Sequence, residues 1–284
     1  MKTLVIGARG MLGGDLQRVL ADHGREVLGL DLPEFDIRDP QQVMQLIARE
    51  RPAQVMHLAA LTDVDACQLD PDGAYATNTA GTRNVALACE KHGAELIYVS
   101  TLAVFNGEKP SAYTELDQPD PRSVYSRSKQ QGEALVRQIV SRHYIARAGW
   151  MFGGGRDDKK FVGKILALAR QRRELRVVDD KFGSPTYTLD FARGLLRLIE
   201  TGWYGTFHLV NTGAPASRCE VAEHILRLAG LTQCQVIPVS SAQFPLPAPR
   251  PRMEAGQNYL LEQRGRDWMR PWPAALQEYL AAFN

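Results

Sequence analysis

Tyr125 and Lys129 stand four residues apart in Ser123-Val-Tyr-Ser-Arg-Ser-Lys129-Gln-Gln-Gly-Glu133, a spacing that puts both on one face if the segment is helical. A lysine so placed lowers the pKa of the phenol from roughly 10, and it can hydrogen-bond the ribose of a bound nucleotide. A phenol drawn towards neutrality gives a proton to a carbonyl being reduced, or takes one from an alcohol being oxidised. A surface helix can carry the same pair by coincidence, so the reading depends on what the rest of the chain delivers to it. Ser100 and Thr101 follow the apolar run Glu95 to Val99, and the carboxyl end of a strand in an open parallel sheet faces the ligand crevice. Either hydroxyl could hold a substrate carbonyl opposite the phenol, or simply cap the strand.

A cofactor site is legible upstream. Lys2 to Ile6 reads as a buried strand, Gly7-Ala-Arg9-Gly10-Met11-Leu12-Gly13-Gly14 as a turn, and Asp15 to Ala21 as a helix, the order a dinucleotide motif requires. Gly7 permits the tight turn, Gly10 lets backbone approach a pyrophosphate, and Gly13 lets helix and strand pack closely. Met11 and Leu12 lie where free N–H groups at a helix start would meet phosphates. A second strand, Glu26 to Leu30, ends at Asp31, placed to bind adenosine ribose hydroxyls. Arg9 could instead receive a 2′-phosphate. The two pull opposite ways, so NADPH and NADH both stay open, with NADPH slightly preferred. Asp36 and Ile37 fall near the adenine position. Ala59, Ala60 and Thr62 follow a third strand, Gln54 to Leu58, as small residues a cofactor can lie against. Asn78 falls inside a long helical stretch, Pro71 to His92, where it could contact the cofactor or bond its own backbone.

These elements recur to the end of the chain. A fifth strand spans His143 to Ala148, and Trp150-Met-Phe-Gly153-Gly-Gly-Arg156 suits a closing substrate loop. A helix is expected over Phe161 to Arg173, a turn over Phe182 to Tyr187, and a helix over Leu189 to Glu200. Strand, helix and strand then follow at Gly205 to Val210, Ser217 to Ala229 and Gln235 to Pro238, before a closing helix from Trp272 to Phe283. The alternation predicts an α/β fold with a doubly wound, Rossmann-like parallel sheet and a smaller C-terminal α/β substrate lobe. Residues 1–150 would form the NAD(P)-binding domain, with about 180–212 returning to it, and 151–284 mainly the substrate lobe. The 284 residues are enough for that arrangement, and 44% hydrophobic with 23% charged residues is ordinary soluble composition. A net charge of +2 points away from nucleic acid. No apolar run approaches the roughly 20 residues of a membrane span. Cys67, Cys89, Cys219 and Cys234 show neither C-x-x-C nor metal-ligand spacing, so no metal is expected and a reduced, cytoplasmic setting fits. The N-terminus lacks a signal-peptide pattern.

Together, Gly7-x-x-Gly10-x-x-Gly13, Ser100-Thr101 and Tyr125-x-x-x-Lys129 resemble an extended short-chain dehydrogenase/reductase. More narrowly, Ala59-Ala-Leu-Thr-Asp-Val-Asp65, Tyr125 to Glu133, Val177 to Tyr187 and Arg250-Pro251 resemble the dTDP-4-dehydrorhamnose reductase family over nearly the whole chain. The resemblance implies reduction of the C4 ketone of a dTDP-6-deoxy-hexulose with hydride from a nicotinamide. Tyr125 would protonate the alkoxide, Lys129 tune it and hold the nicotinamide ribose, and Thr101 orient the carbonyl. Trp150 would line the sugar pocket, and Arg250, whose fork can bond two oxygens, would meet the diphosphate; a homodimer is the implied assembly. The family usually has Asp and Tyr where this chain has Leu102 and Ala103, and Ser and Leu where it has Glu254 and Gly256. These departures imply a changed surrounding for the sugar, and a Glu254 near a diphosphate is unwelcome unless it points away. They also favour a non-catalytic dinucleotide-binding module resembling the methionine adenosyltransferase regulatory subunit, which the retained Thr101, Tyr125 and Lys129 disfavour. An epimerase or dehydratase would need acid/base groups that Leu102 and Ala103 cannot supply.

Overall fold

The structure, a computed structural model, describes residues 1–155, 158 and 160–282. Five strands, β1 (Lys2–Ile6), β2 (Glu26–Leu30), β3 (Gln54–His57), β4 (Glu95–Thr101) and β5 (His143–Ala148), join Gly205–His208 in one sheet. Its order is Gly205–His208, β5, β4, β3, β1, β2, and every pairing is parallel. Such a sheet is covered on both faces, which is why Leu4, Val5 and Ile6 are all buried although they point alternately up and down. The chain leaves β1 for one edge and returns at β3 towards the other. The carboxyl ends of β1 and β3 therefore flank the switch point where ligands of such sheets bind.

Helix α1 (Met11–Asp22) turns Leu12, Leu16, Val19 and Leu20 onto the sheet. Its approach depends on glycine. A Cβ at Gly13 would stand 2.3 Å from the Gly7 carbonyl oxygen, and one at Gly7, whose φ is +90°, would stand 2.8 Å from the Ala59 nitrogen. The helix Thr188–Glu200 packs against α1, and the chain then enters the edge strand Gly205–His208. The expected helix over 71–92 is continuous but opens into a π-helical segment, Ala76–Gly81, that carries Asn78. Such wide turns often mark functional sites.

The remaining residues form small sheets around the crevice. Trp150–Phe152 pairs with Pro185–Tyr187, and Glu174–Val178 with Gln235–Val239. Phe182–Gly183 lies between Ala216–Ser217 and Met253–Glu254, so the expected Phe182 to Tyr187 turn is two short strands. The helix expected to reach Arg173 ends at Ala169, because Leu175 and Val177 alternate inward as a strand instead. The closing helix runs Trp272–Ala281; Phe283, and Arg156 of the glycine loop, lie outside the described residues.

Leu102 is buried with Val104, Phe105, Tyr113, Val210, Met253 and Ala255 and does not line the cavity at the strand ends. A Cβ at Gly256 would fall 2.7 Å from its methyl carbons, so Leu102 fills the space that a larger residue at 256 would take. Among the described residues no helix is long and apolar enough to cross a membrane.

Candidate active site

A cavity of about 680 Å³ lies along the carboxyl ends of β1, β3 and β4. At one end the glycine turn contributes Gly7, Gly10, Met11, Leu12 and Gly13, with Asp31, Ala60 and Thr62 beside it. Ser100, Thr101, Ala103, Tyr125 and Lys129 form the middle, and Trp150, Arg218, Arg250 and Glu254 the far end. Two segments more than a hundred residues apart are thereby brought to one wall.

The phenol arrives on the helix Val124–Ile139, capped by Ser123, whose side chain accepts from the Ser126 N–H. Thr101 ends β4 and its hydroxyl accepts from the Ala103 N–H. Lys129 is buried, with its ammonium donating to the Val99 carbonyl at 2.8 Å and lying 4.0 Å from the centroid of the Tyr98 ring. Burial pushes the Lys129 ammonium down to about 7, with Glu133 opposing. Burial also pushes the Tyr125 phenol up to about 12; the Thr101 hydroxyl alongside opposes it, while Glu254 and Cys67 add to it. The lowered phenol expected from the Tyr–Lys spacing is therefore corrected: desolvation of a phenolate outweighs the help of neighbours. Ser100 is buried, and its hydroxyl has no hydrogen-bond partner among the described residues.

Below the lysine lies a charged network. Glu133, one turn after Lys129, takes Nε and Nη2 of Arg147 at 2.8 and 2.7 Å, and both side chains are almost wholly buried. Arg147 holds Glu133 below the usual carboxylate range against the opposing effect of burial, the largest single influence. His208 lies 3.5 Å from Arg147.

Other expected cofactor residues stand off the cavity wall. The Arg9 guanidinium pairs with Glu34 at 2.6 Å and donates to the Leu32 carbonyl, while its backbone N–H donates to Asp31 at 2.9 Å. Asp36 is forked onto Arg38, and Ile37 is buried in the core beside the crevice. Ala59 donates its N–H to Ile6. Asn78 does not bond its own helix: its side chain accepts from Leu61 N–H at 2.8 Å and donates to the Leu61 carbonyl and to Ser128 Oγ. It ties the segment after β3 to the helix bearing Tyr125.

At the far end Arg250 is paired with Asp65 at 2.9 Å. Glu254 faces the cavity and accepts from the Trp150 indole N–H at 2.8 Å. Arg218 is the residue that sequence reasoning missed. Its guanidinium stacks 3.6 Å from the centroid of the Trp150 ring and 4.8 Å from that of Phe161, and burial lowers it to about 10, with Glu254 opposing. A signal existed, since a cation in the first turn of the helix Arg218–Leu228 opposes the helix dipole. Among the described residues no cluster of side chains could hold a metal ion.

A doubly wound parallel sheet, a glycine turn after β1 and a Tyr–Lys pair beside a strand-end threonine define a protein of the short-chain dehydrogenase/reductase class. Within that class, the chain belongs to the RmlD substrate binding domain family, whose model matches residues 1–284. It is 37% identical over 286 residues to dTDP-4-dehydrorhamnose reductase of Mycobacterium tuberculosis H37Rv, covering 99% of this chain and 93% of that protein. It is also 36% identical to the spore coat polysaccharide biosynthesis protein SpsK of Bacillus subtilis, covering 98% and 96%. Among solved structures, a dTDP-4-dehydrorhamnose reductase of Clostridium acetobutylicum superposes with a TM-score of 0.96 at 37% identity, covering 100% and 99% of the two chains. The Bacillus anthracis dTDP-4-dehydrorhamnose reductase in complex with NADP has a TM-score of 0.94 at 35% identity, covering 99% and 98%.

Proposed function

We propose that the chain is an NADPH-dependent ketoreductase acting on the C4 ketone of a dTDP-activated 6-deoxy-hexulose, with Tyr125 as proton donor. The observation that carries this reading is the meeting of Tyr125, Thr101 and Lys129 on the wall of a cavity whose other end is the glycine turn. Relatives named as dTDP-4-dehydrorhamnose reductases and a neighbour bound to NADP support the substrate class and the cofactor.

The residues fit a dinucleotide. A Cβ at Gly10 would meet nothing nearer than the Gly7 carbonyl at 3.3 Å, so the backbone there is open to a diphosphate, which Met11, Leu12 and Gly13 would meet with N–H groups. Asp31 lies beside the adenosine ribose position, Arg9 would meet the 2′-phosphate of NADPH by leaving Glu34, and Lys129 would hold the nicotinamide ribose. When bound, the nicotinamide supplies the hydride to the ketone carbon. Thr101 and Ser100 are placed to hold the ketone oxygen, and Tyr125 gives its phenolic proton to that oxygen as charge develops on it. Trp150 walls the sugar end and Arg250 lies where a diphosphate would enter. In this reading residues 1–150, with about 180–212, serve the cofactor, and 151–284 mainly the substrate.

The test is oxidation of NADPH, followed by its near-ultraviolet absorbance, across a panel of dTDP-4-keto-6-deoxy sugars. Tyr125→Phe should lower turnover by roughly 10²–10⁴-fold while NADPH binding stays within about twofold. An active phenylalanine variant would remove Tyr125 from the mechanism. Unchanged absorbance with every sugar would instead favour the non-catalytic module.

A further inference from the structure

The cavity contains a carboxylate that the proton-transfer reading does not use. Glu254 is half-buried on the short strand Met253–Glu254, held parallel to Phe182–Gly183 in register with Gly183. One carboxylate oxygen, Oε2, accepts from the Trp150 N–H. Among the described residues the other has no hydrogen-bond partner and no Lys, Arg or His within ion-pair distance. An ionised carboxylate offers acceptor sites only, about four of them, so most of its capacity remains unspent at a wall of the cavity.

Its position is fixed from several sides. The Trp150 ring lies so close over Gly183 that a Cβ there would come within 2.3 Å of it, and Arg218 stacks on the same ring. These contacts hold the Trp150 ring against Gly183 and Arg218, and its N–H orients the Glu254 carboxylate. Glu254 is also close enough to the phenol and to Arg218 for its charge to influence both. Ala103, on the same cavity, contributes only a methyl group, leaving room for a substituent on the bound sugar.

We infer that Glu254 is a specificity-determining residue: it accepts a hydrogen bond from a ring hydroxyl of the sugar beside the reacting ketone, and selects hydroxylated sugars over deoxygenated ones. This rests on the ketoreductase reading above and deepens it. A site built to bond a hydroxyl rejects the analogue lacking it, because the polar group is then covered by the sugar and left unpaired. A sugar bearing a carboxylate in place of that hydroxyl would be repelled.

The experiment compares kcat/KM for a dTDP-4-keto-6-deoxyhexose with that for its 2-deoxy and 3-deoxy analogues, in the wild type, Glu254→Gln and Glu254→Ala. Glutamine keeps an oxygen for the Trp150 N–H and removes the charge. The wild type should prefer the hydroxylated sugar over the 3-deoxy analogue, which lacks the hydroxyl beside the C4 ketone, by at least ~100-fold, with the 2-deoxy analogue as the control. Glu254→Gln should cut that ratio at least tenfold, and Glu254→Ala further, with the KM for NADPH unchanged in both. Thermal melting and Trp fluorescence report whether the variants fold, and Trp150→Phe, which shrinks the indole and removes the N–H that holds Glu254, should also lower the preference. A preference equal in wild type and Glu254→Gln overturns the role of Glu254 and leaves the ketoreductase reading standing. A wild type that turns over none of these sugars overturns both.

Discussion

Replacing Glu133 by glutamine tests whether the buried network governs both stability and the lysine. The side chain is fully buried and the guanidinium of Arg147 nearly so, joined by two bonds of 2.7 and 2.8 Å. Removing one charge leaves Arg147 desolvated beside the Phe105 ring at 5.2 Å and His208, with Glu115 the carboxylate that still acts on it. Breaking one side of a buried pair costs about 3–5 kcal/mol, which for a chain of this size lowers Tm on the order of 10 °C. A double variant, Glu133→Leu with Arg147→Met, should recover most of that loss, since a buried pair replaced by apolar groups is often nearly neutral. The kinetic arm has its own sign. Glu133 is the group that opposes the lowering of Lys129 by burial; without it the ammonium loses its proton at a lower pH, so the alkaline limb of kcat/KM moves towards acid. Calorimetry and a pH–rate profile measure the two arms. A single variant as stable as the wild type, with an unmoved alkaline limb, would refute the network as described.

The remaining predictions follow from burial and from the glycine turn. His57 and His208 are fully buried and each is lowered to about 3, from 6.5, chiefly by burial, with Lys129 facing the first and Arg147 the second. Their folded pKa lies below the unfolded one, so the unfolded chain takes up protons that the fold refuses. Stability is complete above pH 6.5 and is lost as pH falls towards 3, together roughly 4 kcal/mol by pH 5. Melting curves from pH 7.5 to 5 should show it, and a flat Tm would exclude it. Gly13→Ala places a Cβ 2.3 Å from the Gly7 carbonyl oxygen and 2.6 Å from that of Ala8, which should cost ~1–3 kcal/mol and weaken NADPH binding at least tenfold by titration. Gly14→Ala, with nothing within 4 Å of its Cβ, is the matched control: it should leave NADPH binding intact and stabilise the helix by ~0.5–1 kcal/mol.

Local chemistry made much of the fold legible. β1, β2 and β5 run where β-branched and apolar residues end at Gly7, Asp31 and Gly149, and Ser123 marks the start of the phenol-bearing helix. What escaped depends on contacts between distant segments. Glu174–Val178 shows only two inward residues, and it becomes a strand because Gln235–Val239 pairs with it. Leu102 looks like a residue lost from the sugar wall until Gly256 is seen to make room for it. Arg218 shows in the sequence only as a cation at a helix start, and the placement of Trp150 and Phe161 is what brings it to the cavity. Asn78 is similar: its partners, Leu61 and Ser128, lie 17 and 50 residues away.

Depth in the fold also decides what the Tyr–Lys pair can do. Spacing alone pictures a lysine that makes the phenol acidic, yet burial acts on the two groups in opposite senses, raising the phenol to about 12 and lowering the ammonium to about 7. Both shifts have one cause, the cost of charge away from water. A phenol so raised keeps its proton throughout the neutral range, which is what the proposed proton transfer to an alkoxide would require. The reverse reaction needs the same phenol as a base, a form that burial and the nearby Glu254 both disfavour. The ammonium is the vulnerable partner, charged near neutrality only as far as Glu133 compensates its burial. Burial of the first two turns of the helix Val124–Ile139 thus favours the protonated phenol, and it leaves the charge on Lys129 dependent on Glu133, which adds no group to the cavity.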